Sequence, residues 1–144
     1  MIAVDTNILV YAHRIDMPWH GAAESLLSGL VSGRGLWALP WPCIHEFLGI
    51  VTHPKIYRVP TPMELALEQV IAWSTSPSAV CIGESGTHLA TLSSIVTAAR
   101  LTGPRIHDAK IAAICLDHGV NELWTADRDF SLFPALRTRN PLVS

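Results

Sequence analysis

Three aspartates in this chain stand at the ends of predicted secondary-structure elements. Asp5 directly follows the apolar run 2–4, and Asp127 follows the apolar run 122–125. Asp108 lies in the first turn of a predicted helix. In an open parallel sheet the carboxyl ends of the strands meet at one edge, and ligands bind there. Each aspartate alone is typical of a turn or a helix cap, but together they indicate a carboxylate cluster at that edge.

Two further acids are each open to two interpretations. Glu46 lies on a predicted helix, roughly opposite the apolar stripe of Ile44, Phe47 and Leu48. It therefore either lines a cleft or faces solvent as an ordinary surface acid. Asp129, two residues after Asp127, is either a turn residue or a fifth acid of the cluster.

A cluster of carboxylates is unfavourable unless a cation accompanies it. Neighbouring negative charges raise one another's pKa values and destabilise the fold. Divalent cations remove that repulsion, and ligand sets made only of oxygen favour Mg²⁺ or Mn²⁺ over zinc or copper. Such ions activate water and stabilise the charge that develops on a phosphodiester during hydrolysis. These acids therefore indicate metal-dependent chemistry on phosphate esters.

The pattern of apolar residues predicts short strands that alternate with helices. Strands are predicted at 2–4, 36–39, 79–82 and 122–125, with a last short one within 137–143. A helical stretch is predicted after Asp5 through about Ser32, with Asp16 as a possible cap, and a second helix after Pro42. A third helix is predicted after the capping box Thr61–Glu64. Two more are predicted from Ser85 or Thr87 to the stop at Gly103-Pro104, and from Asp108 to Gly119. The alternation predicts an α/β fold: a single domain over residues 1–144, with a mostly parallel central sheet of four to five strands flanked by helices.

The composition predicts a globular cytosolic domain. The chain has 144 residues, of which 49% are hydrophobic and 15% charged, and this argues against disorder. No apolar run approaches the length that spans a bilayer. The formal net charge of −2 and the pI near 6.4 lack the basic character expected of a nucleic-acid binder.

The cysteines and histidines do not suggest a zinc site or a disulfide framework. Cys43, Cys81 and Cys115 are widely spaced in apolar stretches and are expected to be buried, reduced thiols. The seven histidines form neither an HxH nor an HExxH motif.

Four segments of the chain together resemble a known family. They are Asp5-Thr6-Asn7 after the first strand, Glu46, His107-Asp108-Ala109 at a helix start, and Thr125-Ala126-Asp127-Arg128-Asp129-Phe130 near the end. In order and spacing they resemble the PIN domain, and more closely the VapC ribonuclease toxins of bacterial and archaeal type II toxin–antitoxin pairs. The resemblance spans nearly the whole chain.

This resemblance implies a Mg²⁺-dependent endoribonuclease, with Mn²⁺ as a substitute, that cleaves cellular tRNA, rRNA or mRNA. It implies inhibition by a cognate VapB antitoxin, and it favours a homodimer. The matching acidic quartet is Asp5, Glu46, Asp108 and Asp127. Asp5, Asp108 and Asp127 are expected to hold one metal, with Glu46 as a ligand directly or through water and Asp129 helping to hold a second. Asn7 and Thr125 match polar positions that hydrogen-bond to the carboxylates.

Under this interpretation water attacks the phosphorus in line, with carboxylate help, and leaves 5′-phosphate and 3′-hydroxyl ends. No Ser, Cys or His nucleophile is needed. His107 is either a base or a structural residue.

Four basic residues either bind the RNA backbone or are simply solvated: Arg14, Arg105, Lys110 and Arg128. The segment 52–61 receives no role.

Five tryptophans are many for this length: Trp19, Trp37, Trp41, Trp73 and Trp124. Most are expected in the core or at its edge. Others are expected on a homodimer face or in a groove that takes an antitoxin helix.

Three alternatives stay open. A phosphatase with Asp5 as nucleophile usually has a second acid two residues later, where this chain has Asn7. A PIN-fold nuclease with another role, in RNA processing or DNA cleavage, is the second. A non-catalytic interaction module is the third, and it leaves the acids at the strand ends unexplained.

Overall fold

The short apolar runs of the chain form five strands, and six helices lie between them along the sequence. The computed structural model describes residues 1–143, so Ser144, the last residue of the predicted domain, lies outside the described part. The strands are β1 (Ile2–Val4), β2 (Trp37–Pro40), β3 (Ala79–Ile82), β4 (Glu122–Trp124) and β5 (Thr138–Arg139). The helices are α1 (Thr6–His13), α2 (His20–Ser32), α3 (Trp41–Val51), α4 (Met63–Ser74), α5 (His88–Ala99) and α6 (Ile106–Asp117).

The strands form one sheet in the order β3-β2-β1-β4-β5, and every neighbouring pair is parallel. Ile2 of the central strand pairs with Trp37 on one side and with Glu122 on the other. Every residue of β2 is buried, as expected for a parallel strand covered on both faces. The α/β fold with a parallel sheet of four to five strands is confirmed. The order also places the carboxyl ends of β1 and β4 side by side.

The predicted helix after Asp5 is two helices. Helix α1 ends at His13 and α2 begins at His20. Pro18 lies in the break, where its ring disfavours helical conformation in the preceding residue. Asp16 does not cap α2, because its carboxylate is paired with Arg14 instead.

The predicted capping box at Thr61 is wrong, although the helix after it exists. Pro62 occupies the N-cap of α4, and no side chain makes a capping hydrogen bond. The Thr61 hydroxyl lies 3.1 Å from Nε2 of His13 and 3.3 Å from Nη1 of Arg14. Partners from another part of the chain have replaced the local cap.

The thiols follow the prediction with one exception. All three cysteines are free; Cys43 and Cys115 are buried, whereas Cys81 is half-buried. Within residues 1–143, no helix combines the length and the apolar character that crossing a membrane requires.

Candidate active site

Asp5 is fixed in position directly after the central strand. It is 5% exposed, and it serves as the N-cap of α1 by accepting a 2.8 Å hydrogen bond from the backbone N–H of Thr6. Its other oxygen accepts a 2.7 Å bond from the Thr125 hydroxyl. Burial raises the pKa of Asp5, while the bonds from Thr125 and Thr6 oppose that rise. Asp5 is therefore a rigid carboxylate with most of its acceptor sites in use.

Asn7 and Thr125 connect the ends of the two adjacent strands. The Asn7 amide lies 3.4 Å from the Thr125 hydroxyl, and its carbonyl oxygen accepts a 3.1 Å bond from the backbone N–H of Ala126. Thr125 in turn accepts a 3.0 Å bond from the backbone N–H of Asp127. These bonds hold the segment that follows β4 against the start of α1. Both residues thus lie beside the acids, where the sequence placed them.

Three aspartates meet beside Asp5. One carboxylate oxygen of each of Asp108, Asp127 and Asp129 lies within 4.8 Å of the other two. Asp108 comes from the first turn of α6, and the other two come from the turn after β4, where the Asp127 carboxylate accepts a 2.8 Å bond from the Asp129 backbone N–H. We call these three residues the aspartate trio. It includes Asp129, whereas Asp5, which the resemblance placed among the ligands of the first metal, is not one of the three, and its oxygens accept hydrogen bonds from Thr6 and Thr125.

The trio and its neighbours concentrate negative charge. The pKa of Asp108 is raised to about 6, first because the group is partly buried and then because Asp127, Asp5, Asp129 and Glu46 repel its charged form. Such a shift is typical of a site that a cation normally neutralises. Carboxylate oxygens are also the ligands that Mg²⁺ and Mn²⁺ prefer, so the residues present fit a hard divalent cation.

Glu46 lies in the wall of a cleft that reaches the trio. Its side chain is exposed on α3, and Oε2 accepts a 3.2 Å bond from the Thr6 hydroxyl. The cleft has a volume of about 460 Å³ and is lined by Pro42, His45, Glu46, His107, Asp108, Lys110 and Ile111. We call it the α3–α6 cleft. Of the two interpretations of Glu46, the structure supports the cleft.

A second cleft lies on the other side of Asp127. It has a volume of about 480 Å³, and its lining includes Asp127, Arg128, Ser131, Arg139 and Asn140. Arg128 and Arg139 are both exposed there. The two clefts flank the trio, and each contributes at least one cation, Lys110 in one and Arg128 with Arg139 in the other. The trio thus connects two clefts, Asp108 lining one and Asp127 the other, and each cleft carries basic side chains. We call the two clefts and the trio between them the groove.

Two of the basic residues singled out in the sequence lie elsewhere. Arg105 is exposed in the turn before α6 and lines a separate cleft with Arg100. Arg14 is buried; its guanidinium pairs with Asp16, donates a 2.8 Å bond to the Val59 carbonyl, and lies 3.8 Å above the Tyr57 ring. Those partners leave Arg14 with a structural role.

Three site residues were not among the predicted ones. Thr6 binds Glu46, Cys43 donates its thiol hydrogen to an Asp5 oxygen 3.5 Å away, and Arg139 lies in the second cleft. Thr6 had a signal, since it stands between Asp5 and Asn7 in the motif after the first strand. Cys43 and Arg139 had none, because only strand order brings β5 and the start of α3 to this edge.

The comparisons with known proteins agree with this geometry. A family model described as PIN domain matches residues 2–136. Ribonuclease VapC48 of Mycobacterium tuberculosis is 30% identical over 137 residues, which cover 95% of this chain and 94% of that protein. Ribonuclease VapC43 of the same species is 33% identical over 143 residues, which cover 99% and 96%. The crystal structure of VapBC2 from Rickettsia felis, bound to a DNA fragment from their promoter, shares the fold with a TM-score of 0.69 and 19% identity, covering 96% of this chain and 98% of that chain.

Proposed function

Since this chain belongs to the VapC ribonucleases of the PIN-domain family, we propose that its acidic cluster carries out Mg²⁺-dependent endoribonuclease chemistry. The observation that carries the proposal is the aspartate trio, whose oxygens lie within 4.8 Å of one another. Asp5, fixed by Thr125 and Thr6, adds a fourth negative charge that acts on Asp108. Acids from the end of β1, from α6 and from the turn after β4 thus form a site that a divalent cation fits.

The mechanism assigns a distinct task to each part of the site. Asp108, Asp127 and Asp129 would hold the cation, and Asp5, whose negative charge reaches Asp108, would be the fourth carboxylate ligand. When bound, Mg²⁺ or Mn²⁺ supplies positive charge opposite the phosphate and lowers the pKa of water. Glu46 presents one oxygen to the α3–α6 cleft, because Thr6 occupies the other. That free oxygen accepts the proton of the attacking water, and hydrolysis leaves 5′-phosphate and 3′-hydroxyl ends.

The basic residues at the two ends of the groove bind the RNA strand on either side of the reacting phosphate. Lys110 lies in the α3–α6 cleft, while Arg128 and Arg139 lie in the second cleft. Such contacts neutralise backbone phosphates and carry little sequence information. The groove thus positions the strand, while the acids perform the reaction.

Removing single carboxylates tests this assignment. We expect the purified protein to cleave single-stranded RNA with Mg²⁺ or Mn²⁺ and to stop in EDTA. Asp5→Asn and Asp108→Asn should each lower the cleavage rate by more than about 100-fold, as expected when charge stabilisation at a reacting centre is lost. Circular dichroism should show an unchanged fold. Glu68→Gln, which removes an exposed charge on α4, is the matched control and should cleave at the normal rate. Full activity of Asp5→Asn would contradict the mechanism.

We infer further that the chain is the toxin of a cytoplasmic type II pair, inhibited by a VapB-type antitoxin. The relatives named VapC and the neighbour named VapBC2 support this role. A cleft of about 540 Å³ between α1, α2 and α4 supplies a mixed surface for such a partner: Ala12, Ile15, Leu27, Val31 and Trp73 line it together with the polar side chains of His13, His20, Glu24 and Gln69. It is separate from the two clefts that flank the trio.

We also infer that the chain folds as one domain and forms a homodimer. Helix α5 contains no buried residue, and Leu89 at its start is 74% exposed. The family resemblance favours this dimer, and the exposed face of α5 is the surface that we assign to it. Sedimentation of the purified protein as a monomer would contradict the dimer.

A further inference from the structure

Trp41 is an exposed aromatic residue at the edge of the sheet where the acids lie. It is the first residue of α3 and follows directly on Pro40, the last residue of β2. The indole is 45% exposed, whereas Trp37, Trp73 and Trp124 are at most 8% exposed. A large exposed aromatic ring beside a polar site offers a flat apolar face on which a ligand can stack.

The ring of Trp41 is held by its neighbours. A Cβ atom at Gly83 would lie only 3.3 Å from Cδ1 of Trp41, so the ring packs directly on the glycine backbone. That backbone is itself fixed, because Nε2 of His118 lies 2.7 Å from the Gly83 carbonyl and donates to it. The imidazole of His45 lies 6.0 Å from the indole, with an angle of 33° between the planes. We call the indole of Trp41 and the imidazole of His45 the Trp41 platform.

Helix geometry places this platform beside the acids. Residues four apart lie one above the other on a helix, so Trp41 and His45 form one column and Pro42 and Glu46 the adjacent column. The second column lines the α3–α6 cleft together with Asp108 and Lys110. His45 lines the same cleft, and Trp41, one turn before His45 on α3, lies next to that wall rather than in it. A strand whose phosphate reaches the trio would bring a neighbouring base to the platform.

We propose that the Trp41 platform stacks on an unpaired nucleobase of the RNA substrate, adjacent to the phosphate that is cleaved. This inference rests on the proposed ribonuclease function. Every base has a π-face, so stacking on an aromatic side chain selects unpaired bases without selecting their identity. A paired base has both faces covered by its neighbours in the helix. The platform therefore limits the substrate to single strands and to loops whose bases are unstacked.

The test compares the two exposed tryptophans on single-stranded and duplex RNA. A short oligoribonucleotide is used alone or annealed to its complement, with Ca²⁺ in place of Mg²⁺ to prevent cleavage. We expect Trp41→Ala to weaken binding of the single strand by about 10-fold and to leave duplex binding unchanged. Trp41→Phe, which keeps an aromatic face, should retain most of the affinity. The control is Trp19→Ala. Trp19 is the N-cap residue of α2 and is 43% exposed, and its variant should bind RNA like the unchanged protein.

Tryptophan fluorescence provides a second measurement that does not depend on the alanine variant folding. The single strand should quench the emission of the unchanged protein more strongly than that of Trp41→Phe. Equal quenching in both proteins, or an equal loss of single-strand and duplex affinity in Trp41→Ala, would overturn the platform. A protein that binds through Trp41 but does not cleave RNA with Mg²⁺ would overturn the proposed function instead.

Discussion

At the scale of single residues, Asp5 and Asp108 both have raised pKa values, but their surroundings differ. Asp5 is 5% exposed, yet Thr125, Thr6 and Cys43 donate hydrogen bonds to its oxygens. Asp108 is half-buried and faces other carboxylates rather than donors, and its pKa rises to about 6. The charge of Asp5 is thus stabilised by donors, and the repulsion within the cluster raises the pKa of Asp108 instead.

The sign of the Asp108 contribution follows from proton linkage. The pKa of this carboxyl is higher in the folded protein than in the unfolded chain, so folding takes up a proton between the two values. In the metal-free protein, Asp108 therefore costs no folding stability at pH values below its pKa in the unfolded chain. It lowers the free energy of unfolding as the pH rises toward and through its folded-state pKa of about 6.

We predict that Asp108→Asn stabilises the metal-free protein although it abolishes cleavage. The free energy of unfolding in EDTA at neutral pH should rise by about 1 kcal/mol, a value lowered from the full pKa shift because the group is only partly buried and solvent screens its charge. The gain should shrink below the pKa of about 6. Urea titrations at the two pH values measure it, and Mg²⁺ should stabilise only the unchanged protein.

The control for this prediction is Glu68→Gln, whose charge lies on α4 in solvent. It should change the free energy of unfolding little at either pH. A metal-free Asp108→Asn protein that is less stable than the unchanged chain would show that repulsion in the trio is not the dominant effect.

At the scale of elements, Arg14 joins the segment 52–61 to the end of α1. Its guanidinium pairs with Asp16, donates to the Val59 carbonyl and lies over the Tyr57 ring. The guanidinium can make these contacts together because it has five N–H donors and a planar face that stacks on an aromatic ring. The segment that sequence reasoning left without a role is therefore a structural loop held by one buried cation.

We predict that Arg14→Lys lowers the free energy of unfolding by about 1–3 kcal/mol, because an ammonium cannot replace the paired hydrogen bonds and the stacking. The rate of RNA cleavage by the folded protein should stay the same. Denaturant titration and a cleavage assay measure the two effects. Arg58→Lys alters an exposed arginine of the same loop and should be neutral. If Arg14→Lys bound RNA more weakly with unchanged stability, Arg14 would instead be a residue that contacts RNA.

At the scale of the whole molecule, the negative net charge has a local origin. The chain has twelve acids and ten bases, which gives −2. Without Asp5, Glu46, Asp108, Asp127 and Asp129, seven acids would face ten bases and the charge would be +3. The acidity is thus concentrated at the site that fits a cation. The rest of the molecule is mildly basic, which suits a polyanionic substrate.

The placement of the cleft between α1, α2 and α4 leads to a prediction about the antitoxin. Expression of the chain should arrest growth, and co-expression of the cognate antitoxin should restore it. Ile15, which lines this cleft and is 84% exposed, offers a variant: Ile15→Glu should remain toxic but escape the antitoxin, because an added carboxylate beside Glu24 would be costly to cover with a partner.

Leu36→Glu is the matched control, since Leu36 is 58% exposed before β2 and does not line that cleft. It should be toxic and fully inhibited. Inhibition of Ile15→Glu to the same extent would place the antitoxin elsewhere. Normal growth during expression of a protein that cleaves RNA in the test tube would contradict the toxin role.

The sequence by itself determined the α/β fold and the acids at the strand ends. Apolar runs such as 79–82 are local signals, and local signals decide which elements form. The stop predicted at Gly103-Pro104 was too late, because α5 ends at Ala99 with Arg100 in the left-handed conformation. The sequence also determined that Asp5 and Asp127 would approach each other, because parallel strands end at one edge. Even so, a local signal failed at Thr61, where His13 and Arg14 supplied stronger partners than a helix cap.

Only the tertiary structure decided which side chains meet. It grouped Asp129 with Asp108 and Asp127, and it turned Arg14 inward. It also left Trp41 exposed while burying three of the other four tryptophans. These outcomes depend on strand order and on contacts between residues far apart in the chain, such as Thr125 with Asp5. A residue's type and spacing state what it can do, but its partners are set by the packing of the whole fold.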